Sequence, residues 1–176
     1  MPDHARDYDV VLFGGTGFTG GLTAEYLARH APQGTRWAIA GRDRERLRAV
    51  ADRLAGVAKQ VSPIGVILAD SSDRSSLRVL AGSSRVVAST VGPFMQHGGP
   101  LVAACAEGGT DYLDITGESE FVDRMWLAHQ DSAEHSGARL VHACGFDSVP
   151  HDLGVWFTLD HLPRDKPLSI AGFVRA

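Results

Sequence analysis

Short, nearly unbroken apolar runs alternate along this chain with longer segments in which apolar residues recur three and four apart. YDVVLF, from Tyr8 to Phe13, is the first such run and predicts a strand covered on both faces of a parallel sheet. RWAIAGR (Arg36 to Arg42), IGVILAD (Ile64 to Asp70), SRVVAST (Ser84 to Thr90), the short DYLDITGE (Asp111 to Glu118) and ARLVHACG (Ala138 to Gly145) follow as strands two to six. Helices are expected between them. The first runs from Phe18 to His30, with Leu22, Tyr26 and Leu27 available to pack on the sheet. In the second, Leu47, Val50, Ala51 and Leu54 fall at i, i+3, i+4 and i+7, and Gly56 is the stop. A short helix ends at Gly82, another has Pro100 near its first position with Gly108 and Gly109 beyond its end, and a longer one spans Ser119 to His135. A last helix begins after Pro150.

This rhythm predicts an α/β fold, a doubly wound parallel sheet of about six strands with helices on both faces. Right-handed crossovers give the strand order 3-2-1-4-5-6, and ligands of such sheets bind beyond the carboxyl ends of the strands at the topological switch point. The final segment, PLSIAGFVRA from Pro167 to Ala176, reads as a further strand. The division expected from it is a nucleotide-binding domain over residues 1–165, with 166–176 beginning a second, substrate or dimerisation domain. A swapped or edge strand is the alternative.

The chemistry begins at GGTGFTG, directly behind the first strand. Gly15, Gly17 and Gly20 satisfy G-x-G-x-x-G, while Gly14, Gly17 and Gly20 satisfy the same spacing one residue wider. Either register gives a tight turn, a backbone approach without Cβ and a close helix–strand contact. The helix that opens at Phe18 aims its free N–H groups and positive dipole end at a pyrophosphate. Strand, glycine turn and helix in succession form the Rossmann context for a dinucleotide, with Gly14, Thr16, Gly17, Phe18, Thr19 and Gly20 as the contacts.

An NAD site would place an acidic residue at the end of the second strand, about twenty residues on. This chain has Gly41 and then Arg42 there, which suits a 2′-phosphate and hence NADP(H), with Arg46 one helical turn later. A charged hydrogen bond of about 1.5–3 kcal/mol is worth ~10- to 150-fold in affinity, enough to set NADP over NAD. Asp43 is a cap for the following helix or a ribose contact. Asp70, ending the third strand, is a candidate for adenine, with a helix N-cap as the competing role.

Composition narrows the functional classes. A net charge of −4 over 176 residues lacks the basic excess that a nucleic-acid backbone demands. Two cysteines, Cys105 and Cys144, support neither a disulfide framework nor a four-ligand zinc site, and they suit a reducing cytoplasm. No apolar run reaches bilayer length, and MPDHARDYD lacks the apolar core of a signal peptide.

Three irregular loops converge at the ends of strands four to six: STVGPFMQHGG, YLDITGES and HACGFDSVPHD. Proton-transfer candidates there are His97, Asp114, Glu118, His142, Asp147 and His151. None is assigned a catalytic role. Cys144 reads as a small buried residue before a nucleophile. No Tyr-x-x-x-Lys pair is present, since neither Lys59 nor Lys166 has a tyrosine four residues earlier. Neither a G-x-S-x-G elbow nor an H-E-x-x-H helix occurs.

Taken in order, GGTGFTG, AGRDRERL, VGPF, LVAACAEGGTDYLDITGE and CGFDSVPHDLG resemble the N-terminal half of saccharopine dehydrogenase-like oxidoreductases, in particular the trans-acting enoyl reductases of high-GC bacteria. The resemblance implies an NADP-type Rossmann domain with Gly14, Gly17 and Gly20 at the pyrophosphate and Arg42 at the adenosine phosphate. It places Thr90, Gly92 and Pro93 beside the cofactor and Phe146, Asp147 and Pro150 beside the nicotinamide. It further implies an enzyme that reduces carrier-bound acyl or polyketide chains for cell-envelope lipids and that carries a larger substrate and dimerisation domain; a cytoplasmic place, at the membrane periphery in one version, and a homo-oligomer are the accompanying expectations. His151 departs from the small residue usual at that position. A saccharopine-type C–N oxidoreductase and a non-catalytic NADP sensor are the alternative readings.

Overall fold

A computed structural model describes residues 6–58, 63–163 and 165–173. Its elements run β1 (Tyr8–Phe13), α1 (Phe18–His30), β2 (Trp37–Gly41), α2 (Arg44–Ala55), β3 (Gly65–Leu68), α3 (Arg74–Ser83), β4 (Ser84–Ser89), α4 (Phe94–His97), α5 (Gly99–Gly108), β5 (Asp111–Asp114), α6 (Ser119–Ser136), β6 (Leu140–Val141) and α7 (Val149–Asp160). The six strands form one sheet in the order β3-β2-β1-β4-β5-β6, and every pairing is parallel. That is the doubly wound order expected from the alternating pattern, with the switch point between β1 and β4.

The apolar runs of β1 and β2 are explained by cover on both faces. Val11, Phe13, Ala38 and Ala40 join Leu77, Leu80, Leu101 and Phe121 in one core, against α3, α5 and α6. Their neighbours Leu12, Trp37 and Ile39 join Ala24, Ala28, Leu47 and Leu54 in the other, against α1 and α2. The β4–β6 half differs. Tyr112 and Val87 are buried against the α5–α6 layer, but Val86, Leu113 and Val141 line an open groove of about 220 Å³ on the opposite face.

Four expectations are corrected. Leu22 and Tyr26 of α1 are 56% and 64% exposed, because the helix buries the small residues Gly20, Ala24 and Ala28 instead. That small-residue stripe lets α1 lie closer to the sheet than leucine and tyrosine would allow. A four-residue helix, α4, stands in what read as loop before α5. The sixth strand is two residues long, because His142 and Ala143 turn out of it, Ala143 at φ 57°. Pro167 to Phe173 forms no strand: pairing requires a hydrogen-bonded neighbour, and the β6 edge is only two residues long. Residues 174–176 of that expected strand lie outside the described residues.

Candidate cofactor site

At the carboxyl end of β1 the chain must reverse into α1 within four residues. Gly14 adopts φ +96°, and its N–H donates to the Ala40 carbonyl at 2.8 Å, tying the turn to β2. A Cβ there would stand 2.7 Å from the Thr90 hydroxyl oxygen. At Gly20 a Cβ would overlap the Gly14 carbonyl oxygen and lie 2.7 Å from its carbon, so the helix touches the turn backbone to backbone. Gly15 instead packs under β2, where a Cβ would be 2.9 Å from that of Ile39. Gly14 and Gly20 therefore make the close contact of turn and helix, and Gly15 packs against the sheet.

Gly17 is exposed, and the nearest atom to a Cβ there would be the Gly14 oxygen at 3.4 Å. It caps α1 with no side-chain acceptor, and the first turn holds no acidic residue. The N–H groups of Phe18, Thr19 and Gly20 precede the first helical bond, Gly21 N–H to the Gly17 carbonyl at 2.8 Å. Open space, orphan donors and a positive helix end make an anion cradle.

This cradle opens into a cleft of about 320 Å³ that crosses the ends of β1 to β4. It gathers Gly14, Thr16, Gly17, Arg42, Asp70, Thr90 and Gly92 of the expected set, together with Ser71, Val91 and His97. Arg42 is exposed and makes no hydrogen bond or ion pair among the described residues. Arg46, by contrast, pairs with Asp43 at 3.4 Å, and Asp43 caps α2 by accepting from the Glu45 and Arg46 N–H groups at 3.1 and 3.0 Å. Asp70 is not the cap of α3, a role Asp73 takes by accepting from Ser75 N–H at 2.9 Å. Its carboxylate accepts from the Ser72 hydroxyl at 2.6 Å and the Ser72 N–H at 2.8 Å. These bonds, the hydroxyl first, hold the Asp70 carboxyl below the usual carboxylate range.

The remaining candidates are tied into the scaffold. Thr90 donates its hydroxyl to the Phe13 carbonyl at 3.2 Å, linking the loop after β4 to the glycine turn. Pro93, joined to Gly92 by a cis peptide, caps α4. Glu118 accepts from Phe94 N–H at 2.8 Å and Met95 N–H at 3.0 Å, one per carboxylate oxygen. Asp114, 1% exposed, accepts from Thr116 N–H and Ala143 N–H, both at 3.1 Å, and its other oxygen meets His142 Nδ1 at 2.6 Å. Both carboxylates thus tie loop backbone to the scaffold, and Asp114 also fixes the His142 imidazole.

Burial and the nearby Asp114 carboxylate push the Cys144 thiol up, the reverse of an activated nucleophile, and burial raises Cys105 to about 12. Cys144 is half-buried, less enclosed than its sequence reading. Phe146 is 75% exposed, and Phe146, Asp147 and Pro150 lie on the β6–α7 segment, outside the cleft. His151 is exposed on α7. No group of three or more His, Cys, Asp or Glu is gathered for a metal among the described residues.

The cleft therefore joins an anion cradle, an unpaired arginine at the end of β2, and polar groups at the end of β3. Residues 10–141 match the family described as the saccharopine dehydrogenase NADP binding domain. The chain belongs to that family. NADP is accordingly its cofactor, and the unbonded N–H groups at the start of α1 together with the unpaired Arg42 are donors of the kind that an anionic dinucleotide takes.

A trans-acting enoyl reductase of Mycobacterium leprae is 49% identical over 166 residues, covering 94% of this chain and 39% of that protein. A Mycobacterium tuberculosis protein provisionally given the same name is 50% identical over 160 residues, with 91% of this chain and 37% of that one covered. The chain thus spans under two fifths of the length of these relatives. Among solved structures, apo saccharopine dehydrogenase (L-Glu forming) from Saccharomyces cerevisiae superposes with a TM-score of 0.69 at 19% identity, over 88% of this chain and 31% of that one. That likeness is one of fold. No described helix is long and apolar enough to cross a membrane.

Proposed function

We propose that this chain is the cofactor-binding part of an NADP-dependent enoyl reductase acting in trans on acyl or polyketide chains in cytoplasmic lipid biosynthesis. The observation that carries this is the identity of about one half to proteins of that name across nine tenths of the chain. NADPH supplies the hydride when bound. The protein's part is to bind and orient: the Gly14–Gly17–Gly20 turn and the start of α1 (Phe18, Thr19) receive the pyrophosphate, with Thr16 on its rim. Arg42 receives the 2′-phosphate, and Asp70 accepts from the adenine edge. Thr90, Gly92 and Pro93 form the wall toward the nicotinamide, where Phe146, Asp147 and Pro150 of the β6–α7 segment close in.

Residues 1–165 constitute this nucleotide-binding domain, and 166–176 lead into a substrate and dimerisation domain. The open apolar face of β4–β6 and the unburied α7 support that division. The test is NADPH oxidation by the full-length enzyme, followed at 340 nm, with a carrier-bound 2-enoyl thioester. Consumption of NADPH with a saturated product by mass spectrometry is the expected result. Oxidation only with an amino acid and an oxo acid that condense to an imine, or tight NADPH binding with no turnover of any enoyl chain, would replace this reading.

A further inference from the structure

His97 lines the cleft together with Arg42, Asp70 and Ser71 and lies near enough to Asp70 for its charge to be felt there, although its place in the sequence suggested proton transfer. It is the last residue of α4, a single helical turn that would not persist in isolation. Three contacts fix that turn. The Pro93 carbonyl accepts from Gln96 and His97 N–H, each at 3.1 Å. Phe94 is buried with its ring centroid 5.8 Å from that of Phe121. Glu118, from the loop before α6, accepts the two leading N–H groups of α4 through separate oxygens at 2.8 and 3.0 Å. Bonds of a carboxylate to N–H donors are stronger than neutral ones, so Glu118 is the strongest polar tie on the turn that carries His97.

We propose that His97 is a cofactor-binding residue contacting the adenosine half of NADP, and that Glu118 is the positioning residue that holds it there. An imidazole offers a ring face to a purine and one donor and one acceptor to its edge. It lines the same cleft as Asp70, which follows β3. The proposal rests on reading the cleft as the NADP site.

The test is a binding titration of the whole chain with NADPH and, separately, with 2′,5′-ADP, which carries the adenosine half alone. His97→Ala weakens both ligands by the same factor, about 3- to 10-fold for one hydrogen bond. Glu118→Gln, which keeps one acceptor and the fold by circular dichroism, weakens both to a lesser degree. The double variant is no weaker than His97→Ala, because two residues acting through one contact are not additive.

Unchanged affinity in His97→Ala, or a loss for NADPH but not for 2′,5′-ADP, would overturn the contact. Additive losses would overturn the positioning role of Glu118. If the unsubstituted chain bound neither ligand, the cofactor-site reading would fall and this proposal with it; binding by wild type with an inert His97 sinks this proposal alone.

Discussion

The two halves of the sheet share a topology and differ in what encloses them. Around β1–β3, helices on both faces bury Trp37 to 1% exposure and Leu12, Ile39, Leu47 and Val11 completely or nearly so. Around β4–β6, one face is closed by α5 and α6 while the other leaves Val86, Leu113 and Val141 open, and α7 has no buried residue at all. Trp156 on α7 is 68% exposed. The difference separates two tasks. The first half buries its core on both faces and carries the glycine turn, although Phe18, Leu22 and Tyr26 of α1 face outward. The second holds its loops by hydrogen bonds to Asp114 and Glu118 and turns apolar side chains such as Val141 and Trp156 outward.

Substitution of the two tryptophans gives the widest contrast. Trp37→Ala should cost about 3–5 kcal/mol of stability, while Trp156→Ala should stay within about 0.5 kcal/mol and reduce self-association. Urea midpoints and light scattering check both, and equal losses would erase the distinction between the halves. Next in size is Gly20→Ala, which forces a methyl group into the Gly14 carbonyl. Overpacking of about 1–3 kcal/mol is expected, together with loss of NADPH binding, because α1 must back away from the turn.

Asp114→Asn tests the second half. The buried carboxylate satisfies two backbone N–H groups and an imidazole, and weakening that set should cost about 1–2 kcal/mol while leaving NADPH affinity unchanged. A smaller effect concerns pH. The Arg139 hydrogen bond and charge hold the Asp111 carboxyl below its ordinary value, so its stabilisation is complete at neutral pH and is lost as pH falls through the lowered value. Arg139→Ala should therefore flatten the acid limb of the stability curve below about pH 4, a small change for a pair whose arginine is exposed to solvent.

Most of the framework was legible because its signals are local. The apolar runs of β1 and β2 and the i, i+3, i+4, i+7 set of α2 have one physical reading each. What escaped depends on distant partners. The α4 turn is held by a glutamate 24 residues away from Phe94. The sixth strand is cut short because Ala143 N–H and His142 bond to Asp114, 29 and 28 residues earlier. For α1 the period fitted either face, and the small residues Gly20, Ala24 and Ala28 took the sheet side because close approach outweighed side-chain area. Gly14, Gly17 and Arg42 line one cleft, as the motif and the end of β2 suggested, while Ser71 carried no signal beyond its position after Asp70 and His97 was read only as one of several titratable groups.

The central claim is that the cleft across β1–β4 is an NADP site whose selectivity resides in Arg42. A fluorescence titration of the whole chain with NADPH and NADH, repeated on Arg42→Ala, tests it most directly. Tighter NADPH binding in the unsubstituted chain, by ~10- to 150-fold, should collapse to parity in the variant. A preference for NADH, or a preference for NADPH that survives the loss of Arg42, would contradict it.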